Sequence, residues 1–257
     1  MDIRQTLLDT EMILKDFISM IVSENLGENW LPQSGISESR LREIEELRSK
    51  YQQDLHVMTG EGRLINYCNF TDLSKIVETH WNTHFEVAFG YKQTINTYLL
   101  TLQKYNNPDA FNRPLMSFEK HLILGLCGTI RNTISVFRSW KEVGKEGFPL
   151  IESVQDNFNN LWTMGMPKKL KTQLSIREGD LLEFVVTAMD PKDEFLEYRI
   201  FPNKWQNTNV LQYQLKRDDV GKEITFQIGI RSKRKYHAYP MGYDDRITIE
   251  YTVLPIS

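Results

Sequence analysis

Apolar positions recur at three- and four-residue steps over residues 1–162 and at every second residue over most of the remainder. The first period is that of one face of an α-helix, the second that of one face of a β-strand. Leu7, Leu8, Met12, Leu14, Phe17, Ile18, Ile21, Val22 and Leu26 predict an opening helix. Gly27 ends it, because glycine tolerates a left-handed backbone. After a turn around Pro32–Gly35, Ile36, Leu41, Ile44, Leu47 and Tyr51 continue on a second helix whose wet face carries Glu43, Glu45, Glu46, Arg48 and Lys50. A third helix, N-capped by Thr71, carries Leu73, Ile76, Val77, Trp81, Phe85 and Phe89 and stops at Gly90. A fourth runs from about Tyr91 to Tyr105, where Asn106–Asn107–Pro108 breaks the chain. Ser117 opens a fifth, over about 117–140, with Leu122, Ile123, Leu126, Ile130, Ile134 and Phe137 inward. Gly125 and Gly128 weaken this helix but allow a neighbouring helix to approach closely. Ile151, Val154, Phe158 and Leu161 add a last amphipathic turn before Gly165–Met166–Pro167, the expected domain boundary.

Beyond that boundary, LLEFVVTA, FLEYRIF, VLQYQL, EITFQIGI and RITIEYTVL are short β-branched and aromatic runs. Turn chemistry separates them at Glu178–Gly179–Asp180, Asp190–Pro191, Asn207 to Asn209 and Asp218 to Gly221. Six or seven strands in roughly 90 residues fit a β-sandwich. The fold class expected is α+β in two separate domains, an all-α bundle over 1–165 and an all-β sandwich over 166–257.

At 257 residues and 40% apolar, the chain has ample material for two cores and is not a disordered polymer. Charge is uneven: residues 1–165 carry 16 Lys/Arg against 21 Asp/Glu, and residues 166–257 carry 15 against 13. This is not the balance of a strongly basic nucleic-acid binder. The acidic opening MDIRQTLLDTEM is unlike a secretory signal, and no apolar run reaches the ~18–20 residues that span a bilayer. Cys68 and Cys127 lack CxxC partners, which removes zinc-ribbon and thioredoxin-like readings. Two buried thiols fit a reducing cytosol, so the expected location is cytoplasmic with no membrane association.

Local patterns carry the candidate chemistry. Arg231, Lys233, Arg234 and Lys235, followed by Tyr236, His237 and Tyr239, interleave cations with aromatics as a phosphate backbone with stacked bases requires. The competing reading is a solvated loop between strands. His80 and His84 share a helix face at i, i+4, but Trp-Asn-Thr between them lacks the glutamate of zincin chemistry, so no metal is assigned. P-loop, Rossmann and nucleophile-elbow motifs are absent from the sequence. No cofactor is expected.

The opening helix ending Gly27–Glu28–Asn29–Trp30, the segment LINYCNFTDLSKIVETHW and above all GTIRNTISVF make residues 1–140 resemble the HEPN superfamily. The likeness is to the subfamily shared by a yeast transcript-surveillance endonuclease and bacterial proteins. Phe70, Asp72–Leu73 and Trp81 match its second segment. Active members share an R-N-x-x-x-H stretch; Arg131 and Asn132 match its first two positions, while Val136 stands in the histidine position. The resemblance implies a homodimer through the 117–140 helix and metal-free RNA cleavage, in which histidine moves protons and arginine steadies phosphate charge. Valine cannot ionise, so the proton-transfer role is empty. His121 lies ten residues earlier, roughly 15 Å along the helix. His80, His84 and His237 reach the motif only through tertiary or dimer contacts, and Ser135 is a poor base without a partner.

IREGDLLEFVVTAMDPKDEFLEYRI and DDVGKEITFQIGI resemble a PKD-type or cadherin-like immunoglobulin sandwich, usually a docking module. Asp190, Asp193, Asp218, Asp219, Asp244 and Asp245 lack a calcium-loop motif and read as turn residues. The expectation is an RNA-associated protein with a degenerate motif, binding or regulatory, in prokaryotic stress or phage defence. Its RNA contacts would be Arg131, Asn132, Arg138, Arg231, Lys233, Arg234, Lys235 and Tyr236. The alternatives are a metal-independent endoribonuclease with a non-standard base, and a dimeric adaptor whose sandwich docks a partner protein.

Overall fold

The computed structural model describes residues 2–54, 63–106, 114–142, 144 and 147–256. The chain divides into two units, residues 1–134 and 135–257. Among the described residues six α-helices lie mainly in the first, and eight strands in two sheets lie in the second.

In the first unit, α1 (Ile3–Leu26) starts on Asp2, whose carboxylate accepts from the Arg4 amide at 2.9 Å. It ends at Gly27, with φ +76° and its N–H on the Ser23 carbonyl. Leu7, Leu14, Phe17, Ile18 and Val22 are fully buried, whereas Leu8 and Met12 on the flank of the stripe are exposed. The helix α2 (Glu38–Asp54) inserts Ile44. The cap of α3 (Phe70–Thr79) is Asn69, not Thr71. Asn69 accepts from the Asp72 amide at 3.0 Å and Asp72 accepts from the Asn69 amide at 2.9 Å, a reciprocal capping box.

The expected single helix through residue 89 is interrupted. After His80 a π-helical turn spans Trp81–Phe85, followed by α4 (Glu86–Phe89) and Gly90 at φ +73°. Leu73, Val77, Trp81 and Phe85 are spaced by fours, which on an α-helix drifts about 40° per step. One wider turn resets that drift, and Trp81 and Phe85 are both buried. Phe17, Phe85 and Phe89 then pack with ring centroids 5.7–6.3 Å apart. The helix α5 (Lys92–Tyr105) buries Ile95, Leu99 and Leu102. The expected break at Asn107–Pro108 lies outside the described residues. Finally α6 (Ser117–Glu142) buries Ile123, Cys127, Ile130 and Ile134, while Leu122, expected inward, is exposed.

Polar groups cross-link this unit. Lys15 pairs with Glu11 at 2.7 Å and donates to the Asn66 carbonyl, while Arg63 reaches Asp16 at 2.7 Å. Arg40 forks onto Asp72 through Nε and Nη2.

The second unit corrects the helical reading of 151–161. Leu150–Asp156 is strand β1 and Leu161–Thr163 is β2, paired antiparallel. Asp156 accepts from the amides of Phe158 and Asn160, and Asn159 takes φ +65°, closing a tight turn. A register shift between Ile151 and Ser153 puts consecutive residues inward, so bulge and turn together mimic a helical period. The division between units therefore falls within α6 rather than at Gly165.

The remaining strands are β3 (Lys169–Arg177), β4 (Leu181–Met189), β5 (Leu196–Ile200), β6 (Val210–Gln214), β7 (Gly221–Ser232) and β8 (Asp245–Leu254). One sheet runs β2-β1-β4-β6, the other β3-β8-β7-β5. Within the second sheet β3 lies parallel to β8, and the other pairs are antiparallel. The core holds Trp162, Leu182, Phe184, Phe226, Ile228, Ile247, Ile249 and Tyr251. Both cysteines lie in the first unit and are unpaired with each other, so apolar packing holds the sheets together.

Candidate functional site

Arg131 and Asn132 lie side by side on α6, both half-buried, with Val136 half-buried one turn further on. Cys127, one turn before Arg131, is fully buried. Burial pushes its thiol up in pKa, against a hydrogen bond from Thr10 and the Arg131 charge. Thr129 and Thr133 return their hydroxyls to the carbonyls of Gly125 and Thr129, so they are committed to the helix. Gly125 and Gly128 face open space rather than a neighbouring helix among the described residues.

Arg138 departs from the expected surface contact. Only 2% exposed, it donates from Nη1 to the Ile151 carbonyl at 3.2 Å and from Nη2 to Glu142 at 3.0 Å. A guanidinium committed in this way ties the end of α6 to β1 and is withdrawn from any phosphate. Ser135, buried, donates to the Met189 carbonyl at 3.3 Å and has no base beside it among the described residues.

Two of the histidines are held by neighbours. His80 Nε2 meets the Gln33 carbonyl at 3.1 Å, and its ring stacks on His84 at 5.7 Å. His121 is exposed near the start of α6. In the second unit His237 Nδ1 stands 3.2 Å from Asp244. Among the described residues no group of three His, Cys, Asp or Glu side chains is arranged to hold a metal ion. No helix among them is long and apolar enough to cross a membrane.

The basic run after β7 does not form one patch. Arg231 pairs with Glu197 at 2.8 Å and lies over the Trp205 ring at 4.5 Å. Arg234 is nearly buried: it grips Asp190 closely and donates to the Gly147 carbonyl at 2.8 Å. That internal ion pair removes it from the predicted contacts. Lys233 and Lys235 are less confined, and Tyr236, 53% exposed, sets its ring edge-to-face on Phe148.

The acidic residues read as turn formers are anchors as well. Asp244 accepts from the Ser232 and Ala238 amides, and Asp245 accepts from the Ile151 amide and Lys168. Burial pushes the Asp190 carboxyl up in pKa, against the Lys192 amide and Arg234.

Sequence reasoning passed over Arg199, Phe201, Trp205, Tyr243 and Arg246, which share one sheet face with Arg231. The available signal was the period-two alternation Arg199-x-Phe201 on a predicted strand, with Trp205 four residues on. What hid it was that the partners come from two other strands, 30 or more positions away.

Comparison with known proteins finds no matching family model, curated protein or solved structure.

Proposed function

We propose that this protein binds RNA without cleaving it, through a HEPN-like helical unit joined to an immunoglobulin-like sandwich. The observation that carries the reading is the trio on α6: Arg131 and Asn132 adjacent and half-buried, with an aliphatic side chain at Val136. A guanidinium and an amide suffice to hold a phosphate oxygen. Cleavage through the 2′-hydroxyl also needs a group that moves protons near neutral pH, and position 136 supplies none. The other ionisable candidates on α6 support the same reading, since Arg138 is paired and His121 stands about three turns away. The two-sheet arrangement supports the immunoglobulin-like assignment, which implies docking rather than chemistry. A homodimer through α6 and a setting in stress or phage defence rest on the family resemblance alone.

The test incubates wild-type, Arg131→Ala and Val136→His proteins with a labelled mixed RNA pool in EDTA. Mobility shifts are recorded and products mapped for 2′,3′-cyclic ends. The reading expects wild-type binding without cleavage, loss of binding in Arg131→Ala, and cleavage gained in Val136→His. Wild-type cleavage that disappears in Arg131→Ala points instead to an endoribonuclease with another base. Absence of RNA binding by wild type at any salt concentration overturns the proposal in favour of the adaptor.

A further inference from the structure

The outward face of the β3-β8-β7-β5 sheet carries a feature that neither motif predicts. Alternation along the strands sends Ile200, Ile228, Ile230, Ile247 and Ile249 inward. Their neighbours face out, and register places Arg199, Gly229 and Arg246 in one row across β5, β7 and β8. Gly229 is the gap in that row. The Phe201 ring lies across it so closely that a Cβ there would sit 2.5 Å from Cε2 and 3.0 Å from Cζ.

On this floor cations and rings alternate. The Arg199 guanidinium stands 3.6 Å over the Phe201 ring and 4.3 Å over Trp205. Arg231 covers Trp205 at 4.5 Å, and Arg246 covers Tyr243 at 5.0 Å. Tyr243 sets its edge on Phe201 at 5.8 Å.

Charge on the face is only partly compensated. Glu197 answers Arg231. Among the described residues the one side-chain hydrogen bond of Arg246 goes to the neutral side chain of Gln227. Among the described residues the Arg199 guanidinium makes no hydrogen bond or ion pair, and its Nε is buried without a partner. Burial and then the neighbouring Arg231 disfavour its charge. Glu250 on β8 is already held by Lys169 and Lys171. A cationic strip is thus segregated on a chain whose formal net charge is −3.

We propose that this face binds single-stranded RNA, phosphates on Arg199 and Arg246 and bases against the guanidinium planes and the half-buried Phe201 and Trp205 rings, with buried Tyr243 supporting them from below. Planar cations and aromatics are the two surfaces on which unstacked bases rest, and cations follow the backbone. An acidic peptide would use the cations and leave the rings idle; a single strand uses both. The proposal rests on the RNA-binding reading above but moves the main footprint to the sandwich.

The test measures fluorescence anisotropy of a labelled mixed-sequence 12-nucleotide RNA against the full chain over a salt series. Wild type is compared with Arg199→Gln/Arg246→Gln, with Arg199→Lys, with Lys233→Gln/Lys235→Gln and with Arg131→Ala, all checked for unchanged circular dichroism. Expected is a fall of at least about tenfold in affinity for the double Arg variant, with a salt slope shallower by roughly 0.7 for each phosphate no longer neutralised. Arg199→Lys is expected to keep the slope and still weaken binding, because an ammonium does not stack. The Lys233/Lys235 variant is expected to stay near wild type. Full affinity in the double Arg variant with loss in Arg131→Ala overturns this inference and leaves the α6 reading intact. Loss in the double Arg variant with full affinity in Arg131→Ala does the reverse. Equal affinity of wild type for polyglutamate and for RNA overturns the base-stacking assignment, and absence of RNA binding by wild type overturns both readings.

Discussion

Replacing Asp72 by alanine tests how the helical unit is held together. The Asp72 side chain is 8% exposed and accepts from Arg40 Nε at 3.1 Å, from Arg40 Nη2 at 2.9 Å and from the Asn69 amide at 2.9 Å. Removing the carboxylate deletes half of the capping box, worth about 1 kcal/mol. It also strands Arg40. Breaking a fully buried pair costs about 3–5 kcal/mol. Arg40 is 26% exposed and keeps Glu43 at 2.8 Å, so the lower end applies and is discounted for solvent, to about 2–3 kcal/mol. The expected loss is about 3–4 kcal/mol in total. With a urea slope of about 2 kcal/mol per molar, the unfolding midpoint falls by about 1.5–2 M. Ellipticity at 222 nm reports it, because the helices lie mainly in this unit. Asp72→Asn keeps an acceptor for the Asn69 amide and is expected to lose only part of this. A midpoint within about 0.25 M of wild type for Asp72→Ala, by conversion with the same slope, would refute the anchoring role. A double-mutant cycle with Arg40→Ala that gives a coupling below about 0.5 kcal/mol would show that the pair adds nothing.

Three further outcomes concern groups elsewhere. Burial and then the charge of His84 hold His80 below its ordinary pKa, against the Gln33 carbonyl. Its stabilising contribution is therefore complete above the unfolded value of about 6.5 and is lost as pH falls below it. The urea midpoint should drop more between pH 7.5 and 5.5 in wild type than in His80→Gln, and equal drops refute the assignment. Tyr251→Phe removes a 2.5 Å hydrogen bond to buried Asp156, which keeps Asn160 at 2.7 Å. A loss of about 1–2 kcal/mol is expected by thermal melting, and an unchanged melting temperature contradicts it. Burial pushes the Cys68 thiol up to about 12, and Cys127 is raised by the same cause. Iodoacetamide at pH 8 should label neither until denaturant is added. Rapid labelling of the native protein would place a thiol at the surface.

Hydrophobic period alone located α1, α2, α5, α6 and five of the eight strands, because each is a local amphipathic segment whose repeat is written in consecutive residues. It picked out no run for β3 and missed β1 and β2, where a bulge and the Asp156–Asn160 turn produce helical spacing in extended chain. It also missed the π turn, which exists only because Trp81 and Phe85 must reach one core. At the candidate sites, residue identity showed which groups were chemically able to act, Arg131, Asn132 and the cations after β7, and which was not, the valine at 136. It did not show which were committed. Arg138 and Arg234 read as surface cations until Ile151, Glu142, Asp190 and Gly147 were brought to them. Arg199, Phe201, Trp205 and Arg246 read as ordinary strand and loop residues until β5, β7 and β8 were laid side by side. Sequence by itself determined the two kinds of secondary structure and their order, and the valine at position 136. The tertiary structure decided which charges are spent internally, because burial and pairing depend on residues that the chain brings together from distant positions.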